Sequence, residues 1–144
     1  MENQLTNGDN KMKQTVKGSC HCGAMRFEAD IDLSSGSGRC SCSICQKKRS
    51  WEFMLKPEDF RDLSEPDAVS VYRFGEVMEH KFCKTCGVAA FSSGVLDVLG
   101  GAFCTVAVTC VDGLAPEQLA EIPVGYSDGG NDNWTQAPAV TSYL

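Results

Sequence analysis

Cys83-Lys84-Thr85-Cys86-Gly87 sets two thiols three residues apart and follows the second with a glycine. That spacing lets both sulfurs grip one ion, and the glycine lets the backbone turn so that its amides face sulfur. A two-sulfur grip needs two more donors. Cys20-His21-Cys22-Gly23 carries a second pair, and joining the pairs ties the start of the domain to its middle. A further group, Cys40-Ser41-Cys42-Ser43-Ile44-Cys45, puts three thiols within six residues.

The remaining question is whether these thiols serve metal or disulfides. Nine of the 144 residues are cysteine, about 6%, below the roughly 8–10% of a small disulfide scaffold. Nine is odd, so full pairing leaves one thiol over. A C-x-C pair closes on itself only with strain. Met1 to Gln14 holds no apolar stretch, so we expect no secretory signal and a reducing, cytoplasmic setting where lasting disulfides are rare. Zinc held tetrahedrally by thiolates is the natural occupant.

Size and composition agree with a folded enzyme or binding module. A chain of 144 residues is expected to form one domain, large enough to bury a core of its own. Hydrophobic residues make up 42% and charged residues 22%, which excludes a wholly disordered or fibrous chain. No run approaches the roughly 18 apolar residues of a membrane span. The net charge of −6 argues against a general phosphate-backbone binder. We therefore expect neither a nucleic-acid nor a membrane partner.

The hydrophobic pattern predicts a mainly β domain of short strands and loops over residues 16–144, behind a flexible polar tail over 1–15. Met25, Phe27 and Ala29 alternate with Arg26 and Glu28, as in a half-buried strand. Ser34 to Gly38 reads as a flexible loop. Trp51 to Leu55 reads as a strand, with a turn or single helical turn from Pro57 to Phe60. Val69–Phe74 and Val77–Phe82 flank Gly75-Glu76 as a hairpin. Val88–Phe91 reads as a short strand and Phe103–Val111 as the longest, with Cys104, Val106, Val108 and Cys110 on one side. Pro116 to Ala120 has room for one helical turn. No longer window carries a helical period, and no internal repeat is present.

Cys20, Cys22, Cys83 and Cys86 make a closed four-thiolate set, which is structural and contributes directly to folding. Cys40, Cys42 and Cys45 make a three-donor set with an open fourth position, as catalytic zinc is usually held. Either Cys104 or Cys110 can close that second set, but burial as inert thiols is the favoured reading. His21 and His80 lie beside the proposed ligands, and a hydrogen-bonding role around the metal is favoured over ligation. Trp51 and Phe53 are assigned to the core rather than to a pocket wall.

Three segments carry a resemblance: Gly18-Ser19-Cys20-His21-Cys22-Gly23-Ala24, Cys40-x-Cys42-Ser43-x-Cys45, and His80-x-Phe82-Cys83-x-x-Cys86-Gly87. Together they resemble the glutathione-dependent formaldehyde-activating (GFA) family, which includes centromere protein V-type domains. Val106 to Gly113 and Asp128-Gly129 to Trp134 are similar as well. The resemblance implies a small zinc-containing antiparallel β fold with cysteine-bearing loops and little helix. It implies a structural zinc on Cys20, Cys22, Cys83 and Cys86, and a second, more weakly held zinc on Cys40, Cys42 and Cys45. The implied activity joins formaldehyde to the thiol of glutathione and is classed as a carbon–sulfur lyase. Ser41 stands where the family often has His, and Gly130 where a basic residue is common.

The donor set favours the same chemistry. Three thiolates donate so much charge that zinc becomes a poor acid toward water, which disfavours a hydrolase. Such a metal still binds an incoming thiol as thiolate. Lys47, Lys48 and Arg49 follow Cys45 directly and are the residues expected to attract an anionic thiol such as glutathione, unless they form a merely solvated loop. The competing reading is a non-enzymatic zinc module that uses the same scaffold for ligand or protein binding.

Overall fold

The computed structural model describes residues 12–144. Most of the expected tail lies outside the described residues. Its last two residues do not behave as tail, because the first strand, β1, spans Gln14–Ser19. Among the described residues the fold is mainly β, with two short helices.

β1 pairs antiparallel with β2 (Arg26–Ile31), and β2 with β5 (Phe60–Asp62), making a three-stranded sheet. The alternation expected around Met25 holds: Met25, Phe27, Ala29 and Ile31 are buried while Arg26 faces solvent. A seven-stranded sheet holds the rest, in the order β10-β3-β4-β9-β8-β7-β6. Its strands are β3 (Ser37–Cys40), β4 (Glu52–Leu55), β6 (Val69–Phe74), β7 (Met78–Cys83), β8 (Phe91–Leu96), β9 (Gly101–Ala107) and β10 (Val124–Ser127). All its pairings are antiparallel except β10 with β3. An aromatic cluster joins the two sheets: Phe60 lies 5.0 Å from Phe91 and Phe27 lies 6.2 Å from each, centroid to centroid. Edge-to-face and offset contacts of this kind add to the area that they bury.

The β6–β7 hairpin forms as expected, closed by a turn over residues 75–77. Three expectations need correction. Residues 88–90 are not strand; β8 starts at Phe91 and runs through Ser92-Ser93-Gly94, polar and small residues that the ladder to β9 holds extended. The run 103–111 splits, since β9 ends at Ala107 and Val108–Cys110 form a 3₁₀ turn. Both faces of β9 are covered, so Phe103 and Thr105 are buried along with Cys104 and Val106. Part of the expected Ser34–Gly38 loop is β3, held by Val124 to Ser127 on one side and by β4 on the other.

The helices are α1 (Ser43–Lys48) and α2 (Pro116–Glu121). α2 lies where one helical turn was expected, with Pro116 at its first position. A 3₁₀ turn over Pro57–Asp59 matches the turn expected after Pro57. Among the described residues, no helix is long and apolar enough to cross a membrane.

Candidate metal centres

Cys20 and Cys22 follow β1, and Cys83 closes β7, so two distant loops meet at one end of the fold. Gly23 and Gly87 take positive φ values of 85° and 77°, turns that an L side chain resists. Behind Cys83 the chain folds back tightly, with Gly87 N–H donating to the Cys83 carbonyl at 2.9 Å. The sulfurs of Cys20, Cys22, Cys83 and Cys86 all lie within 4.8 Å of one another. Cys20 and Cys22 sulfurs are 3.7 Å apart, and Cys22 and Cys83 sulfurs 3.6 Å. A tetrahedral site with zinc–sulfur bonds of about 2.3 Å has sulfur–sulfur edges of about 3.8 Å. The donor set therefore fits such an ion with little adjustment.

Backbone amides tune this cluster. Met25 N–H donates to the Cys20 sulfur at 3.3 Å. Amides of Val88 and Cys22 hold the Cys86 thiol down at about 6, and those of Cys86 and Thr85 lower Cys83. The Ala24 amide also favours a Cys22 thiolate, but Cys83, burial and Cys20 outweigh it and push that thiol up to about 11. Crowded sulfurs that share protons in this way are released from the conflict when a cation binds them.

The second cluster is built differently. Cys40 is the last residue of β3, Cys42 caps α1, and Cys45 lies one helical turn further on. Their three sulfurs also lie within 4.8 Å of one another, and all three residues are half-buried. Hydrogen bonding from Cys45, and amides of Cys42 and Gly129, hold the Cys40 thiol down at about 5, while the Cys45 thiol is raised by Cys40 and by burial. With three sulfurs, this set leaves a fourth coordination position to another ligand.

The parallel pairing of β10 with β3 brings the later chain onto this centre. Ser41 N–H donates to the Ser127 carbonyl at 3.0 Å, and Ser41 Oγ donates to Asp128 Oδ1 at 2.7 Å. Gly130 N–H returns a bond to Ser41 Oγ at 3.0 Å. Gly129 is packed so closely that an added Cβ would lie 2.6 Å from the Trp134 ring and 2.7 Å from the Cys40 sulfur. Asn131, Ser41 and a backbone amide keep the Asp128 carboxyl below its ordinary range. A small cleft of about 10 Å³, room for about one water, lies beside the sulfurs and is lined by Cys40, Cys45, Gln46, Arg49 and Tyr143. A larger polar groove of about 380 Å³ adjoins it along Ser41, Gln46, Asp128 and Tyr143.

A model of the glutathione-dependent formaldehyde-activating enzyme family matches residues 15–125, more than three quarters of the chain. The chain belongs to the GFA family. Among solved structures, the chain is similar to a Rhodobacter sphaeroides protein from structural genomics, with a TM-score of 0.62 and 28% identity. That alignment covers 76% of this chain and 99% of the other.

For this GFA chain the other candidates sort as follows. Of the three basic residues, Arg49 lines the cleft, where its Nη1 donates to the Tyr143 carbonyl at 2.6 Å. Lys47 and Lys48 line neither cavity; burial first, and then the charge of Lys48, lower the pKa of His80. His80 makes no contact of the kind expected around the metal, and its buried Nδ1 has no hydrogen-bond partner. Neither histidine joins a cluster, nor does Cys104 or Cys110. Burial raises the Cys104 thiol, and burial with Cys20 nearby pushes Cys110 up to about 11, so both are poor nucleophiles. Phe53 is core, and Trp51 donates to Ser37 Oγ at 2.6 Å beneath Arg39. Reasoning from sequence missed Asp128, Gly129 and Tyr143 as site residues; the Asp128-Gly129 signal was present but its spatial place was not.

Proposed function

We propose that the chain is a zinc-dependent carbon–sulfur lyase-like enzyme of the S-(hydroxymethyl)glutathione synthase type, acting on a thiol–aldehyde adduct. Cys20, Cys22, Cys83 and Cys86 would hold a structural zinc, and Cys40, Cys42 and Cys45 a reactive one. The observation that carries this reading is the contrast between the two clusters. Four sulfurs complete one sphere, whereas three sulfurs beside a cleft leave the other incomplete.

Cys40, Cys42 and Cys45 would hold a zinc ion whose contribution, when bound, would be to keep an incoming small thiol deprotonated. The chain's own residues do the rest. The Cys42 and Gly129 amides donate to the Cys40 sulfur and fix its place. Arg49, at the cleft, offers its remaining N–H groups to a substrate carboxylate. In the forward direction sulfur attacks the aldehyde carbon, a C–S bond forms, and the proton lost from sulfur ends on the former carbonyl oxygen. The reverse reaction breaks that bond, and neither direction needs an oxidant or reductant.

Formaldehyde with glutathione is the first pair to test, because the family's name points to it. The experiment is the rate of adduct formation and breakdown by exchange NMR, with Cys42→Ser and a zinc-stripped sample as controls. We expect acceleration above background by zinc-replete protein alone. Equal rates in all three, with every thiol–aldehyde pair tried, would leave a binding module as the function.

A further inference from the structure

The polar groove beside the three-cysteine centre takes most of its wall from residues beyond the segment matched to the family: Asp128, Asn131, Pro138, Val140 and Tyr143. Its volume of about 380 Å³ falls in the range, roughly 300–1,000 Å³, of small-molecule sites. It shares Gln46 and Tyr143 with the cleft that touches Cys40 and Cys45. Gln46 and Tyr143, in contact at 3.5 Å, stand between the two spaces, so the groove is the nearest larger space for the other end of a molecule whose sulfur reaches the cluster.

The groove carries one charged side chain among the described residues, Asp128. Its Oδ1 accepts from Ser41 Oγ at 2.7 Å and its Oδ2 from Asn131 Nδ2 at 2.9 Å. Those bonds fix the carboxylate in place, and each oxygen keeps a further lone pair for a ligand. Asp128 also directly precedes Gly129, whose amide faces the Cys40 sulfur. A fixed carboxylate in a groove with no cation of its own favours a positively charged guest and disfavours an anionic one.

Resting on the lyase reading above, we infer that this groove receives the far end of the thiol and that Asp128 recognises an ammonium group there. The substrate class is then an aminothiol: a primary amine joined to the reacting sulfur. Arg49, on the cleft side, sets a guanidinium beside the cluster, a charge that favours a carboxylate on the same molecule.

The test compares cysteamine with N-acetylcysteamine, and glutathione with N-acetylglutathione, on zinc-replete protein. Binding is read by isothermal titration and adduct formation by NMR. In each pair acetylation removes the ammonium and keeps the thiol. We expect the amine to be preferred, and the preference to shrink by about fivefold or more in Asp128→Asn, the scale of a partly exposed, hydrogen-bonded charge pair. Comparing ratios between the two proteins cancels the intrinsic reactivity of each thiol. An unchanged ratio, or a preference for the acetylated forms, overturns the assignment. Should Asp128→Asn fail to fold, the wild-type preference must fade as salt rises, and a salt-independent preference overturns it. Turnover without an amine preference removes the groove's role and leaves the lyase reading. Amine-selective binding without turnover does the opposite, and no thiol binding at all removes both.

Discussion

Ser41 Oγ donates to Asp128 Oδ1 at 2.7 Å, across 87 residues of chain. The bond joins the middle of the three-cysteine segment to the turn after β10, and Ser41 is itself buried. Where the resemblance led one to expect a histidine between the first two cysteines, this chain has a small hydroxyl that accepts from Gly130 and donates to Asp128. The residue type thus matches a backbone turn laid directly over it.

Ser41→Ala should therefore do two things. Losing the hydroxyl leaves the Gly130 amide and one Asp128 oxygen short of a partner, at a cost of about 1–2 kcal/mol. It should also speed metal loss from the three-cysteine centre, since the Gly129 turn is then less firmly held. Urea denaturation and chelator kinetics check the two effects separately. Unchanged stability with unchanged metal release would mean that the bond holds nothing in place.

Gly129→Ala should be more selective. Its new methyl meets the Trp134 ring and the Cys40 sulfur at 2.6 and 2.7 Å. We expect metal stoichiometry to fall by about one ion per chain, from the three-cysteine centre, with the other cluster retained. Metal analysis of the purified variant decides it, and full occupancy of both clusters would be the contrary result.

The four-cysteine centre should behave as part of the fold. Two of its members, Cys20 and Cys83, are buried and join loops 61 to 66 residues apart in sequence. Cys83→Ser should leave little soluble folded protein, because binding energy at such a site is folding energy. A Cys83→Ser protein with wild-type melting temperature and metal content would contradict the assignment.

Acid should release that metal with a definite sign. Free Cys22 holds its proton up to about 11, whereas Cys86 ionises near 6. Metal entry must then expel the Cys22 proton throughout the neutral range, so affinity falls as pH falls, and falls more steeply once Cys86 also protonates below about 6. Competition with a chelator of known proton affinity, followed across pH, measures the slope. A flat profile around neutrality would mean that Cys22 is not a ligand.

Much of this was legible because local patterns wrote it. The Met25-Phe27-Ala29 alternation, the β6–β7 hairpin and the three cysteine groups depend on neighbours a few residues away. What escaped depends on distant partners. Ser37 and Gly38 look like the end of a loop because serine and glycine carry no strand preference, yet Val124 and Gly125 pair with them in parallel. Ser92 to Gly94 is strand because its backbone is laddered to β9. α1 has six residues, too few for a periodicity to emerge. Lys47, Lys48 and Arg49 form one run in sequence, but the two lysines end α1, whereas Arg49 caps it in the left-handed conformation and alone of the three lines the cleft.

The claim that matters most is the open position on Cys40, Cys42 and Cys45, and cadmium NMR of protein with cadmium in place of zinc tests it directly. We expect two resonances, one of them abolished in Cys42→Ser. Adding a small thiol should move that resonance toward the position of a four-sulfur site and leave the other unmoved. A thiol that shifts neither resonance, or both alike, would contradict a reactive three-cysteine centre.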